Sequence, residues 1–183
     1  GNHDVGERPT AATVDLWKGR FGDDYFSFFV NNIKFISINS QLYKNDSNCK
    51  DLAEAQDIWL SQELIEGSSN PCVAATIVFS HIPPFISHPD EASGYFPLEK
   101  NVRLSLLNRM ARAGVTHWFC GHYHRNAGGI FAIKDLENNS ECSGASLKRI
   151  EVVTTAAVGA NLTNDEAGDV LGLSGMAGVT TDP

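Results

Sequence analysis

Residues 25–30 (YFSFFV) and 33–38 (IKFISI) are two β-rich runs joined by Asn31-Asn32, a dipeptide that tolerates positive φ, and the pattern predicts a β-hairpin. Over residues 50–66, Leu52, Ala55, Trp59, Leu60 and Leu64 recur at three- and four-residue spacing, with Asp51, Glu54, Asp57 and Glu63 between them. That periodicity predicts an amphipathic helix ending near Gly67, with the Trp59 stripe in the core. Residues 73–79 form a continuous apolar, β-branched run and predict a buried strand. It delivers Ser80-His81-Ile82-Pro83-Pro84, where two prolines forbid continuation, so His81 is expected at a strand's carboxyl edge. A second helix is predicted over residues 101–113, stopped by Gly114, and a strand over 116–120 then runs into Gly121-His122-Tyr123-His124. Residues 129–133 and 149–154 read as further strands, while residues 161–183, rich in glycine and small side chains, give no pattern and are left unassigned.

Alternating strands and helices, with histidines at strand ends, predict an α/β fold whose chemistry gathers at the carboxyl edge of the sheet. No βα unit precedes Asn2, so the element that brings this segment to the sheet is expected upstream of Gly1.

Composition narrows the function classes. The 183 residues are 42% hydrophobic and 20% charged, as in a globular domain, and carry a formal net charge of -8. With no basic run, binding to nucleic acid is not expected. No apolar stretch approaches the roughly 18 to 20 residues that span a bilayer, so no membrane partner is expected either. Cys49, Cys72, Cys120 and Cys142 are far apart with no C-x-x-C pair, and reduced thiols are the expectation. N-x-S/T sequons at Asn45, Asn138 and Asn161 leave an exported protein open, and a chain that opens at Gly1 without methionine gives no information about a leader.

Three separated clusters hold the candidate chemistry: Asn2-His3-Asp4 in GNHD, His81 in SHIPPF, and His122 with His124 in GHYH. They supply oxygen and imidazole donors, a mixture that suits Mn, Fe or Zn, whereas calcium asks for oxygen alone. On an extended segment, side chains two apart point the same way, so His122 and His124 are expected to reach one metal pair together. Arg125 follows directly and is a candidate fork for phosphate. His88 and His117 lie outside the blocks and are read as surface or core; Phe85 and Tyr123 are read as packing. The long polar segment between Pro84 and Asn101 suits a loop over the site or a plain surface excursion, and its Asp90, Glu91 and Glu99, with Lys100 and Arg103 close by, cannot be oriented from sequence.

The ordered blocks GNHD, FSHIPPF and GHYH resemble the calcineurin-like metallophosphoesterases, whose pattern runs D-x-H, G-D, G-N-H-D/E, H and G-H-x-H. The resemblance covers most of the chain and is similar to the serine/threonine phosphatase branch. It implies the C-terminal part of a four-layer α/β/β/α sandwich, with residues 1–183 a partial metallophosphoesterase domain from which the D-x-H and G-D blocks are absent. It implies two divalent metal ions: Asn2, His81 and His122 on one, His124 on the other. His3 would stay unligated as general acid beside the leaving oxygen, oriented by a hydrogen bond to Asp4, and a metal-bridging hydroxide would attack phosphorus. The implied activity is cytoplasmic hydrolysis of phosphoprotein substrates, with manganese among the candidate metals, and the chain by itself is expected to be nearly inactive. A cyclic-nucleotide phosphodiesterase or a purple acid phosphatase uses the same histidine blocks. A non-catalytic scaffold is the rival of another class, and the intact Asn2, His3, His81, His122 and His124 speak against it.

Overall fold

The phenylalanine-rich hairpin forms as its pattern predicts. Strands β1 (Phe26–Val30) and β2 (Ile33–Ser37) pair antiparallel, with Val30 opposite Ile33 and Asn31 at φ 53 in the turn. This computed structural model describes residues 1–134 and 147–157; Asn138, Asn161, Cys142 and the unassigned segment 161–183 lie outside them.

From β2 the sheet grows by parallel pairing to β3 (Ala75–Phe79), β4 (Val115–Cys120) and β6 (Leu147–Thr154), and β5 (Ala127–Lys134) lies antiparallel to β6 at the far edge. The order is β1-β2-β3-β4-β6-β5. Parallel neighbours need crossovers, and two of these contain α4 (Lys50–Ser69) and α5 (Lys100–Arg112), so the α/β expectation holds. Three shorter helices, α1 (Asn2–Val5), α2 (Ala11–Phe21) and α3 (Ser40–Lys44), complete the set among the described residues. Thr10 caps α2, its hydroxyl accepting from the Thr13 amide at 3.2 Å.

The core lies between the sheet and the helices. Leu60 and Leu64 of α4 and Leu106, Leu107 and Met110 of α5 join Ile36, Val78, Trp118 and Val152 of the sheet in one buried cluster. Each such aliphatic side chain contributes about 1.5–3 kcal/mol by leaving water. Two details of α4 depart from its sequence pattern. Ala55 is exposed and Gln56 is buried in its place. The Gln56 amide is satisfied there by Asn39, whose N–H donates to Oε1 at 2.7 Å and whose carbonyl accepts from Nε2 at 3.1 Å. The helix also runs through Gly67 to Ser69. A Cβ at Gly67 would lie 3.1 Å from Thr76 Oγ1, so this glycine sits where α4 and β3 approach closely and is no stop signal.

Side chains alternate across the sheet, and the residues between the core positions form a column of rings. Phe28, Phe35, Phe79 and Phe119 stack in succession at 5.0, 6.1 and 5.6 Å between centroids, and His117 continues the column beside Phe119. Phe28 and Phe79 remain 44% and 39% exposed. No described helix is long and apolar enough to cross a membrane. Cys49, Cys72 and Cys120 are free thiols.

Candidate metal centre

Strands β3 and β4 run parallel with Phe79 opposite Phe119, so the segments that follow them leave the sheet side by side. Pairing continues past the strand ends: the Ser80 N–H donates to the Phe119 carbonyl and the Gly121 N–H to the His81 carbonyl, each at 3.0 Å. This backbone zipper brings His122 Nδ1 to 3.2 Å from His81 Nε2. The third group arrives on α1, where Asn2 Oδ1 lies 2.9 Å from the same His81 nitrogen. Donors from all three sequence blocks therefore converge on one point at the carboxyl edge.

Asn2 and His122 are buried, and His81 is partly so. Burial lowers the pKa of His81 to about 4, reinforced by the neighbouring His122. Burial likewise lowers His122 to about 4, against the pull of a hydrogen bond to the Tyr95 backbone and the charge of Glu7. Both rings are thus neutral at ordinary pH, the form that offers a nitrogen lone pair. One carboxamide oxygen and two neutral imidazoles fit a borderline divalent ion. Among the described residues no group of three His, Cys, Asp or Glu side chains could hold a metal; the third donor here is an amide.

The expectation of an extended His122-x-His124 segment is overturned. His122 and His124 adopt φ 67 and 56, in the left-handed region, and the Tyr123 N–H donates back to the Gly121 carbonyl at 2.7 Å. The chain must turn sharply on leaving β4, and it does so at these two residues, so the same-face geometry of a strand does not apply. His122 is held among His81, Tyr95 and Phe96, with ring centroids 4.9, 5.3 and 5.5 Å away. His124 is near enough to act on His122 through charge, yet no described hydrogen bond joins it to Asn2, His81 or His122.

His3 and Asp4 are exposed on α1. Asp4 Oδ2 accepts from the Gly1 amino group at 2.7 Å, and no described hydrogen bond joins it to His3. The hydrogen bond from Gly1 is the main reason the Asp4 carboxyl lies below its usual range, with burial opposing it. Arg125 places its guanidinium 5.7 Å from the centre of the Tyr123 ring, beside the turn. His88 and His117 are outside the cluster: His88 Nδ1 accepts from the Asp90 amide, and His117 faces Glu151 at 3.7 Å.

The segment between Pro84 and Asn101 does overhang the cluster, through Tyr95 and Phe96. Its charged residues are occupied with one another, with the backbone and with Lys44 of α3. Glu91 accepts from the Ile86, Ser87 and His88 amides, Asp90 faces Lys100 at 3.4 Å, and Glu99 faces Lys44 at 3.4 Å. Arg103 is buried and donates to the carbonyls of Pro89, Leu98 and Glu91, which makes it a clamp for the loop. Phe85 is fully buried, as packing requires. Sequence reading passed over Glu7 and Tyr95, whose side chains meet Asn2. An aromatic pair, Tyr95-Phe96, inside an otherwise polar loop was the available signal for one of them.

No family model matches the chain. Curated relatives do. The serine/threonine-protein phosphatase CPPED1 of Mus musculus is 41% identical over 168 residues, covering 92% of this chain and 48% of the relative. The protein of that name from Homo sapiens is 41% identical over 169 residues, with the same coverage, and that from Danio rerio is 39% identical over 168 residues. The chain spans about half the length of the curated relatives it matches. Among solved structures, GAP50, the anchor in the inner membrane complex of Plasmodium, aligns at a TM-score of 0.43 with 18% identity, over 72% of this chain and 36% of that one. The purple acid phosphatase PPD1 from yellow lupin aligns at 0.40 with 13% identity, over 74% and 25%. On its 41% identity with CPPED1 across 92% of its length, and with GNHD, SHIPPF and GHYH in the family's order, the chain belongs to the calcineurin-like metallophosphoesterases.

Proposed function

We propose that the chain is part of a dinuclear-metal phosphoester hydrolase, and more narrowly of a serine/threonine phosphatase that acts on phosphoproteins in the cytoplasm. The observation that supports it is the convergence of Asn2 Oδ1, His81 Nε2 and His122 Nδ1 within 2.9 and 3.2 Å, from three motifs that lie far apart in sequence. The CPPED1 relatives give the narrower reading its substrate class.

Asn2, His81 and His122 would hold one metal and His124, from the turn after β4, would contribute to the second; manganese, iron or zinc suits these donors. Bound there, divalent ions would supply Lewis acidity to a phosphoryl oxygen and to a water molecule. The remaining roles fall to the chain. His3, exposed at the edge of the cluster beside Asp4 in the chain, would give a proton to the leaving oxygen. Arg125, set on Tyr123, would meet phosphate oxygens as a planar fork. Tyr95 and Phe96 would keep water from the buried side of His122. Free thiols at Cys49, Cys72 and Cys120 suit a reducing compartment.

The donors that meet among the described residues are one amide oxygen and two imidazoles, while the nearby Glu7 carboxylate is engaged by Asn2 Nδ2 and Tyr95 Oη. We therefore read residues 1–183 as a partial domain that binds metal weakly and turns over little by itself. The test is Mn²⁺-dependent hydrolysis of an aryl phosphate and of a phosphoserine peptide by the full protein that carries this chain. The comparators are Asn2→Ala with His122→Ala and the 183-residue chain. Turnover in the full protein, lost in both comparators, is expected; a full protein with neither bound metal nor turnover overturns the proposal.

A further inference from the structure

The Asn2 carboxamide has two ends of opposite character, and only one of them can ligate a metal. Its Nδ2 donates to Glu7 Oε1 at 2.7 Å and to Tyr95 Oη at 3.3 Å, and Tyr95 Oη donates in turn to the same Glu7 oxygen at 3.2 Å. A carboxylate only accepts, so the amide N–H₂ must lie on the Glu7 side. The opposite end, Oδ1, is thereby turned toward His81 Nε2 at 2.9 Å. Were the amide reversed, two N–H groups without a lone pair would face the histidines, and a carbonyl oxygen would face the Glu7 carboxylate.

Glu7 is itself fixed by its backbone. Gly6, at φ 86, turns the chain directly after α1, and the Gln41 side chain donates to the Glu7 carbonyl at 3.1 Å. Tyr95 reaches down from the overhanging loop, so Asn2 of α1 and that loop meet at the Glu7 carboxylate while α3 holds the Glu7 backbone.

We propose that Glu7, closed off by Tyr95, is a positioning residue that holds the Asn2 carboxamide oxygen toward the metal. This rests on the reading of Asn2 as a ligand. Groups that orient a ligand commonly change metal affinity by 10- to 100-fold when removed.

The test is Mn²⁺ affinity of the full protein without substrate, by competition with a chromogenic chelator, alongside the melting temperature of the metal-free form. Glu7→Leu is expected to weaken binding by about 10- to 100-fold. Glu7→Gln keeps an acceptor oxygen and is expected to stay within about threefold of the unaltered protein. Neither is expected to change metal-free melting, and Tyr95→Phe is expected to show a smaller loss than Glu7→Leu. If Asn2→Ala loses binding while Glu7→Leu retains it, the positioning role is wrong and the metal site stands. If Glu7→Leu and Glu7→Gln weaken binding equally and both lower metal-free melting, the role is structural and the inference falls. If Asn2→Ala binds as the unaltered protein does, or the unaltered protein holds no Mn²⁺, the metal-site reading fails and this inference with it.

Discussion

Gly1 and the His81 ring are in such close contact that a methyl group on Gly1 would come within 2.8 Å of both Cε1 and Nε2. Gly1→Ala must therefore displace the imidazole that both Asn2 and His122 meet. In the full protein we expect a loss of Mn²⁺ affinity of about 10-fold or more with little change in the metal-free fold. Calorimetric titration with Mn²⁺ checks this; unchanged affinity would show that His81 tolerates displacement.

Removing a ligand should cost more than disturbing one. His122→Ala deletes a buried ring whose nitrogen lies 3.2 Å from His81. The expected loss in kcat/KM for an aryl phosphate is on the order of 100-fold or more, beyond the usual range for groups that merely orient ligands. His117→Ala, which alters a histidine on the ring column, should leave kcat/KM unchanged and serves as the control.

Gly128 has φ 131, and a Cβ there would fall 2.0 Å from the Val152 carbonyl oxygen. Its N–H also donates to the Ile86 carbonyl at 2.9 Å, tying β5 to the overhanging loop. Gly128→Ala should lower stability by about 1–3 kcal/mol through backbone strain alone. Urea unfolding measures it, and a stability equal to that of the unaltered protein would contradict the close approach.

Much of this was legible in the sequence because its signals are local. The Asn31-Asn32 hairpin, the strand that leads to His81 and the Gly114 stop depend on neighbouring residues and form as expected, although only Thr76 and Val78 of that strand are buried and Phe79 is exposed. What was not legible depends on partners distant in sequence. Gly67 reads as a helix end until Thr76 lies against it, and Gln56 reads as surface until the Asn39 backbone satisfies it. The turn at His122 and His124 is the sharpest case: alternation predicts a strand, but the exit from β4 calls for two residues in the left-handed region, which sequence spacing does not reveal. Glu7 carries no motif at all and is found only through its 2.7 Å contact with Asn2.

The overhanging loop should be sensitive to acid. Burial favours the neutral form of Glu91, but the amides of Ile86, Ser87 and His88 outweigh it and hold the carboxyl below its ordinary value of 4.5. A carboxyl lowered in the folded state adds stability in full above its unfolded value and loses it as pH falls through the folded one. Glu91→Gln should therefore melt below the unaltered protein at pH 7, with the gap closing as pH falls below the ordinary value of 4.5. Melting curves across pH 3–7 decide it; a gap constant with pH would mean that the carboxylate charge is irrelevant.

The zipper between the ends of β3 and β4 also has a consequence in time. His81 and His122 are 41 residues apart, and their meeting waits on the pairing of Phe79 with Phe119, a contact that must close a long loop before anything rewards it. Hairpin β1–β2 can close within microseconds, whereas the cluster can exist only after the helix-bearing crossover has docked. With the proposed metal site, the appearance of metal affinity during refolding would be a clock for this long-range pairing, one that reports its completion without any added label.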